Sequence, residues 1–156
     1  MTIISGESGS GKSELAIKLA KKMNNSLYLS LEKDFRSLKK IKELKVDFTL
    51  MNFKSLLDIK YRILEYGGLM FNNLDYVIID SLNLISDNKS YNEKIKYLLD
   101  VEKDFKLKII CTLNKPRLVD IPVDTTKVKL IELKKINHFI QELPVLPVLH
   151  PTLRVI

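Results

Sequence analysis

One stretch constrains this chain more than any other: Gly6-Glu7-Ser8-Gly9-Ser10-Gly11-Lys12-Ser13. It fits the pattern G-x-x-x-x-G-K-[ST] at every fixed position. In such a loop the glycines let successive backbone N–H groups point inward at a bound phosphate. Lys12 can reach the β- and γ-phosphates of a nucleotide, and the Ser13 hydroxyl can hold a magnesium ion. The sequence therefore predicts a nucleotide site that is built on this loop.

The motif is informative only between a strand and a helix, and both of its flanks fit that setting. Thr2-Ile3-Ile4 is a β-branched run that leads into the loop. After the loop, apolar residues recur at helical spacing, at Leu15, Ala16, Leu19, Ala20 and Met23. The alternative is a glycine-rich turn that merely joins a strand to a helix, and the flanks favour the nucleotide site over it.

Composition bounds the class of protein. A chain of 156 residues with 46% hydrophobic residues has the length and apolar content of one domain with a single core. The first strand begins almost at Met1, which leaves no room for a signal peptide, and no apolar run approaches the roughly 18 residues of a membrane span. Cys111 is the lone cysteine, which agrees with a reducing compartment. We expect a cytoplasmic protein without a membrane span.

The net charge of +7 comes mostly from lysine, with only four arginines: Arg36, Arg62, Arg117 and Arg154. A basic surface favours polyanions such as nucleic acid, and a merely solvated lysine-rich surface is the alternative. His138 and His150 are not part of any Cys/His cluster, so the sequence predicts no structural zinc site.

Strand and helix patterns alternate along the chain. Beyond the first strand and helix, strands are predicted at 26–31, 46–53, 74–80, 108–113 and 128–133, and helices at 33–44, at 55–66 and after Ser90. Ser55/Asp58 and Ser90/Glu93 have capping-box spacing, and Gly67-Gly68 is expected to end the helix that Ser55 begins. This alternation predicts an α/β fold, with a mostly parallel twisted sheet, helices on both faces and ligands at the carboxyl ends of the strands.

The C-terminal segment follows a different pattern. Pro144, Pro147 and Pro151 forbid a helix and a central strand. We expect a core over residues 1–139, followed by an edge strand or docking tail at 140–156.

Two acidic residues end predicted strands. Asp80 follows a buried apolar run, and a carboxylate at the end of an adjacent strand can hold the magnesium that Ser13 binds. The alternative is an ordinary turn or helix-cap residue. Because Ser81 and not a second acid follows Asp80, the base that activates water must come from elsewhere. Glu32, at the end of the second strand, is the candidate, and a solvated acid at a helix start is its alternative.

These motifs resemble the RecA-like ATPases, in particular the branch of DnaB-type replicative helicases, RadA recombination proteins and the clock ATPase KaiC. Leu27-Tyr28-Leu29-Ser30-Leu31-Glu32 resembles the family's second strand, which ends in the catalytic glutamate. Val77-Ile78-Ile79-Asp80-Ser81-Leu82 is similar to its magnesium strand. The resemblance runs from Met1 to about Phe139. It implies a RecA-like P-loop fold in which Glu32 polarises the attacking water and Lys12 contacts the phosphates.

The same resemblance implies further roles. The run Ile109-Ile110-Cys111-Thr112-Leu113-Asn114 occupies the place where the family carries a polar residue that senses the γ-phosphate. Here that place falls on Thr112 or Asn114, and an amide such as Asn114 can bond a phosphate oxygen. The family binds DNA through two loops that match 83–92 and 115–126 here, and their basic residues are Lys89, Lys115 and Arg117. Members form rings or filaments in which a lysine and an arginine reach the neighbour's ATP. The matching segment has no arginine, and Lys134 or Lys135 is left as a substitute.

The sequence thus predicts an ATPase that binds Mg-ATP, hydrolyses it with Glu32 and couples hydrolysis to a partner. The expected partners are single-stranded nucleic acid, further copies of the chain in a homo-oligomeric ring or filament, or another protein. Two alternatives stay open. The first is a P-loop kinase of a small substrate, although such enzymes generally use several arginines to hold the acceptor and screen phosphate charge. The second is a non-hydrolysing module in which the nucleotide only stabilises an assembly.

Overall fold

The computed structural model describes residues 1–31, 47–50, 55–69, 74–114, 126–136 and 139–142. The elements in these ranges alternate between strands and helices for most of the chain. In order they are β1 Thr2–Gly6, α1 Lys12–Lys22, β2 Ser26–Ser30, β3 Asp47–Leu50, α2 Leu56–Leu69, β4 Tyr76–Asp80, a 3₁₀ helix Leu82–Leu84, α3 Tyr91–Phe105, β5 Lys108–Asn114, β6 Lys129–Ile136 and β7 Phe139–Glu142.

The strands form one seven-stranded sheet in the order β3-β2-β4-β5-β1-β6-β7. All neighbouring pairs from β3 to β6 are parallel, and β7 pairs antiparallel with β6 at the edge. The prediction of an α/β fold with a mostly parallel sheet is confirmed. In such a sheet the carboxyl ends of the parallel strands lie at one edge, which is where ligands bind in open α/β folds.

Alternate residues of the strands face opposite sides of the sheet, and each side is covered by helices. On one side Ile4, Tyr28 and Ile78 pack in a buried cluster with Ala16 and Ala20 of α1. The residues that alternate with them form a larger cluster with α2 and α3, which includes Ile3, Leu29, Ile79, Leu56 and Leu98. The central strands are therefore apolar on both faces, as strands of a buried parallel sheet are.

Helix α3 begins where its capping box predicts. The Ser90 Oγ accepts from the Glu93 N–H at 3.3 Å, and the Ser90 N–H donates to Glu93 Oε2 at 2.7 Å. These bonds to Ser90 favour the charged form of Glu93 and lower its pKa below the usual value. At the start of α2, the Ser55 N–H donates to Asp58 Oδ2 at 3.0 Å, which is the reach-back half of the same motif.

The predicted end of α2 was wrong. Gly67-Gly68 was expected to stop the helix after Tyr66, but the helix continues through both glycines to Leu69. A glycine in a helix lowers its stability by about 1 kcal/mol relative to alanine, yet it keeps both backbone hydrogen-bonding groups. Two glycines therefore weaken a helix without ending it.

The position of β4 also differs from the expectation. Its Asp80 was predicted to end a strand adjacent to β1, but β5 lies between β1 and β4. Alternation of strands and helices predicts parallel pairing, while the order of strands depends on where each crossover helix packs. The consequence is that β5 lies in the sheet between β1, which leads into the glycine-rich loop, and β4, which ends in Asp80.

Other predictions fall partly or wholly outside the described residues. These are the helix at 33–44, the rest of the strand at 46–53 beyond Asp47–Leu50, and the proline-containing segment after Glu142. Within the part of the chain that the structure describes, no helix has the length and apolar character needed to cross a membrane.

The beginning of α2 provides a matched test of the packing. Leu56 is fully buried, whereas its neighbour Leu57 is 50% exposed. We predict that Leu56→Ala lowers the free energy of unfolding by about 2–5 kcal/mol, because it removes buried methyl groups and leaves a cavity. The same change at Leu57 should stay within about 0.5 kcal/mol. Urea denaturation followed by circular dichroism measures both, and equal losses would contradict the packing described here.

Candidate functional site

The loop between β1 and α1 makes a tight turn that depends on glycine. Two of its glycines have left-handed conformations, with φ of 75° at Gly9 and 87° at Gly11. A side chain at either position would be strained by contact between Cβ and the backbone. Gly11 is also the residue that precedes α1, and no side chain among the described residues caps the helix there. The first-turn N–H groups of α1 thus face the loop without a side-chain acceptor.

Gly6 is required for a different reason, which is close approach. A Cβ atom at this position would lie 2.7 Å from the Leu133 carbonyl oxygen and still closer to the Ser10 hydroxyl. The end of β1 is therefore pressed between its own loop and β6. Only a residue without a side chain fits here, which matches the fixed glycine of the motif.

Lys12 lies across the loop that precedes it. Its Nζ donates to the Gly6 carbonyl at 3.0 Å and to the Glu7 carbonyl at 2.7 Å. These contacts place the ammonium group against the first two residues of the loop. A positive charge here adds to the field of the helix N-terminus, and both favour an anion in the loop.

Asp80 connects the first turn of α1 to the strand ends. Its Oδ1 accepts from the Ser13 hydroxyl at 2.9 Å, so the serine of the motif and the predicted magnesium carboxylate are in direct contact. Asp80 is only 1% exposed. Because the Ser13 hydroxyl is the donor in this hydrogen bond, the lone pairs of its oxygen stay available to a cation. The two residues that the sequence assigned to magnesium are brought together.

Two further hydroxyl groups bind Asp80. The Thr112 Oγ1 donates to Oδ1 at 2.7 Å, and the Tyr28 hydroxyl donates to Oδ2 at 2.8 Å. Thr112 also accepts from the Ser81 N–H at 2.7 Å, which secures the turn that follows β4. Sequence reasoning left Thr112 or Asn114 as the γ-phosphate sensor. Thr112 is engaged with Asp80, while Asn114 lies at the end of β5 in register with Gly6.

Tyr28 is a site residue for which the sequence predicted no role. It stands inside a hydrophobic run, where a tyrosine is an ordinary strand residue. Its position in the strand was the available signal. Tyr28 lies two residues before Ser30, the last residue of β2, and therefore faces the same side of the sheet as Asp80 and Thr112 on the neighbouring strands. The pairing of β2 with β4 makes this visible, with Tyr28 opposite Ile78 and Ser30 opposite Asp80.

A second missed residue is Lys94 in the first turns of α3. It is 4% exposed, donates to the Ile85 carbonyl at 2.8 Å and lies 3.0 Å from Asp87 Oδ1, an ion pair that does not have regular hydrogen-bond geometry. These contacts tie the segment after β4 to α3. Lys89, one of the predicted nucleic-acid residues, belongs to the same segment, and its Nζ lies 5.1 Å from the centre of the Tyr97 ring.

Several predicted site residues are not covered by the description. Glu32, Lys115 and Arg117 lie outside the described residues. Lys134 is in β6 with an exposed side chain, and Lys135 follows it in the same strand. Cys111 lies one residue from Thr112 but faces the opposite side of the sheet, where burial raises its pKa to about 12. Its thiol therefore stays protonated at neutral pH and is no candidate nucleophile.

The donor set fits a magnesium-bound nucleotide. No group of three histidine, cysteine, aspartate or glutamate side chains that could hold a metal occurs in the described ranges. Ser13 and Asp80 offer one hydroxyl oxygen and one carboxylate as ligands. This small set fits magnesium, which is usually held by one or two protein carboxylates together with water and substrate phosphates. Within the described part of the chain, the buried Ser10 hydroxyl has no hydrogen-bond partner.

Comparison with known proteins adds no assignment. No protein-family model matches the chain. No curated protein matches it at a significant level either.

The close approach at Gly6 can be tested directly. We predict that Gly6→Ala lowers the free energy of unfolding by about 1–3 kcal/mol, because the added methyl group must displace Ser10 and the backbone of β6. Ser8→Ala, at an exposed position of the same loop, should change it by less than about 0.5 kcal/mol. Both values come from guanidinium denaturation. A Gly6→Ala variant as stable as the parent would show that the loop is not packed this tightly.

Proposed function

We propose that this chain is a magnesium-dependent ATPase with a RecA-like P-loop core. ATP would lie at the carboxyl edge of the sheet, with its phosphates in the loop from Gly6 to Ser13. Backbone N–H groups of the loop and the Lys12 ammonium would bind the phosphate oxygens. Ser13 and Asp80 would hold a magnesium ion, which would neutralise charge that develops on the transferred group.

The observation that carries this proposal is the 2.9 Å contact between Ser13 Oγ and Asp80 Oδ1. The residues are 67 positions apart in the chain and belong to different elements, so the spacing of the motif alone does not produce their contact. A glycine-rich turn that only joins a strand to a helix has no need of a buried carboxylate at its serine. A site for a divalent cation at the phosphates does need one.

The hydrolytic step is assigned to Glu32. Leu31, the residue before it, donates its N–H to the Asp80 carbonyl at 3.2 Å, and β2 runs beside β4 as far as Ser30 and Asp80. Leu31, one residue before Glu32 in the sequence, therefore lies beside the strand that carries Asp80. A carboxylate in that region can accept a proton from the water that attacks the γ-phosphate. Asn114, next to Gly6 in the sheet, is proposed to contact the γ-phosphate.

Coupling to nucleic acid has less support. Of its three candidate residues, Lys89 contacts the Tyr97 ring, and Lys115 and Arg117 lie outside the described residues. The net charge of +7 is compatible with a polyanionic partner and does not distinguish it from an acidic protein. Binding of single-stranded nucleic acid, assembly with further copies and use of Lys134 or Lys135 across an interface remain predictions.

The magnesium assignment leads to a first test of the function. We predict that Asp80→Asn retains ATP binding in EDTA but loses most of the gain in affinity that magnesium gives the parent, because an amide keeps the shape and lacks the charge. Calorimetric titrations of ATP with and without magnesium measure this. The control is Asp75→Asn, at an exposed position before β4. If magnesium raises the ATP affinity of Asp80→Asn as much as that of the parent, Asp80 is only a turn residue.

Glu32→Gln tests the hydrolytic step separately. The variant should bind ATP with nearly the parent's affinity and hydrolyse it about 10²–10⁴-fold more slowly, since a neutral amide cannot accept the proton from water. Phosphate release over time, at saturating ATP, gives the rate. A rate within about threefold of the parent would rule out Glu32 as the base. If the parent itself binds ATP without releasing phosphate, the chain is a binding module or a kinase.

A further inference from the structure

Tyr28 is a polar side chain at the centre of the buried face that α1 covers. It is fully buried, and it is among the largest side chains with no exposure. Its ring belongs to the cluster that includes Ala16, Ile17 and Ala20 of α1. A buried tyrosine hydroxyl normally requires a hydrogen-bond partner, and the Tyr28 hydroxyl donates to Asp80 Oδ2 at 2.8 Å.

The three hydroxyl donors divide the two oxygens of Asp80 between them. Ser13 and Thr112 both donate to Oδ1, and Tyr28 donates to Oδ2. The carboxylate is thus held at both oxygens, and it cannot rotate about its Cβ–Cγ bond without losing a bond to a rigid partner. Among the described residues no cationic side chain forms an ion pair with Asp80.

This arrangement is unusual for a carboxylate with 1% exposure, because buried charges in proteins are normally paired or bind metals. Three neutral donors stabilise a negative charge on the carboxylate only in part, because none of them carries a positive charge. An arginine or lysine partner would satisfy the charge and compete with magnesium. Hydroxyl donors orient the carboxylate and bring no positive charge of their own.

The three contacts do not have the same role. Ser13 is a proposed magnesium ligand itself, and Thr112 also binds the Ser81 N–H. The Tyr28 ring is fixed between α1 and the sheet, so its hydroxyl is the contact whose position depends least on the nucleotide. Magnesium requires nearly ideal octahedral geometry, whereas calcium tolerates irregular coordination, so magnesium is the more sensitive to a carboxylate whose orientation is free.

We propose that Tyr28 is a positioning residue that holds the Asp80 carboxylate in the orientation magnesium requires, and that it thereby sets the preference of the site for magnesium over calcium. The inference rests on the proposed nucleotide function and goes beyond it. In this proposal Tyr28, a tyrosine inside a hydrophobic strand, affects cation affinity through Asp80 and does not contact the nucleotide.

The test uses Tyr28→Phe, which keeps the ring and removes only the hydroxyl. Binding of ADP is measured by calorimetry in EDTA and over a series of magnesium and calcium concentrations. We expect unchanged affinity in EDTA and a magnesium midpoint raised about tenfold or more, the effect typical of losing a partner that orients a metal ligand. The calcium midpoint should rise less, so that the preference for magnesium decreases.

Tyr76→Phe is the matched control. Tyr76 begins β4 and packs partly buried against the same cluster, but it lies at the opposite end of the strand from Asp80. Its loss of a hydroxyl should leave both cation midpoints unchanged. In the background of Asp80→Asn, Tyr28→Phe should have no further effect on the magnesium midpoint, because its action passes through that carboxylate.

Each other outcome has a definite meaning. A Tyr28→Phe variant whose magnesium and calcium midpoints overlay those of the parent overturns the inference and leaves the proposed function standing. Equal rises for both cations, or a loss of folding in thermal denaturation, would make Tyr28 a structural residue and also overturn it. A parent that binds ADP with no dependence on magnesium overturns the proposed function and the inference together.

Discussion

The buried carboxylate of Asp80 is the constraint on which the rest of the site depends. At 1% exposure a charged group is stable only if its surroundings supply hydrogen bonds or a counter-charge. Ser13, Thr112 and Tyr28 supply three hydroxyl bonds, and they come from α1, β5 and β2. The position of Asp80 at the end of β4 thus draws four elements to one point at the edge of the sheet.

The order of strands makes this convergence possible. β4 has β2 on one side and β5 on the other, so Tyr28 and Thr112 both approach Asp80 from neighbouring strands on the same face. On its other side β5 borders β1. The loop after β1 therefore begins two strands away from Asp80, and Ser13 in the first turn of α1 contacts Asp80 across the end of β5. A chain with Asp80 directly beside β1 would have no place for Thr112 between them.

Much of this was predictable from the sequence, and the rest was not for physical reasons. The glycine-rich loop between β1 and α1 and the parallel sheet follow from motif spacing and from the alternation of strands and helices. The contact of Ser13 with Asp80 follows from a strand that ends in a polar residue. The insertion of β5 does not follow, because periodicity defines which face a residue occupies and not which strand lies beside it. Tyr28 was missed because a tyrosine in an apolar strand has the same pattern whether its hydroxyl binds solvent or a carboxylate.

The most direct test of the central claim is the affinity for ATP and magnesium of the parent and of Lys12→Ala, measured by calorimetric titration. Lys18→Ala serves as the control, because Lys18 lies on the exposed side of the same helix. The account predicts saturable binding by the parent and by Lys18→Ala, and an affinity reduced at least about tenfold in Lys12→Ala, equivalent to the loss of about 1.4 kcal/mol. Equal affinities for all three proteins, or no binding by the parent, would contradict it.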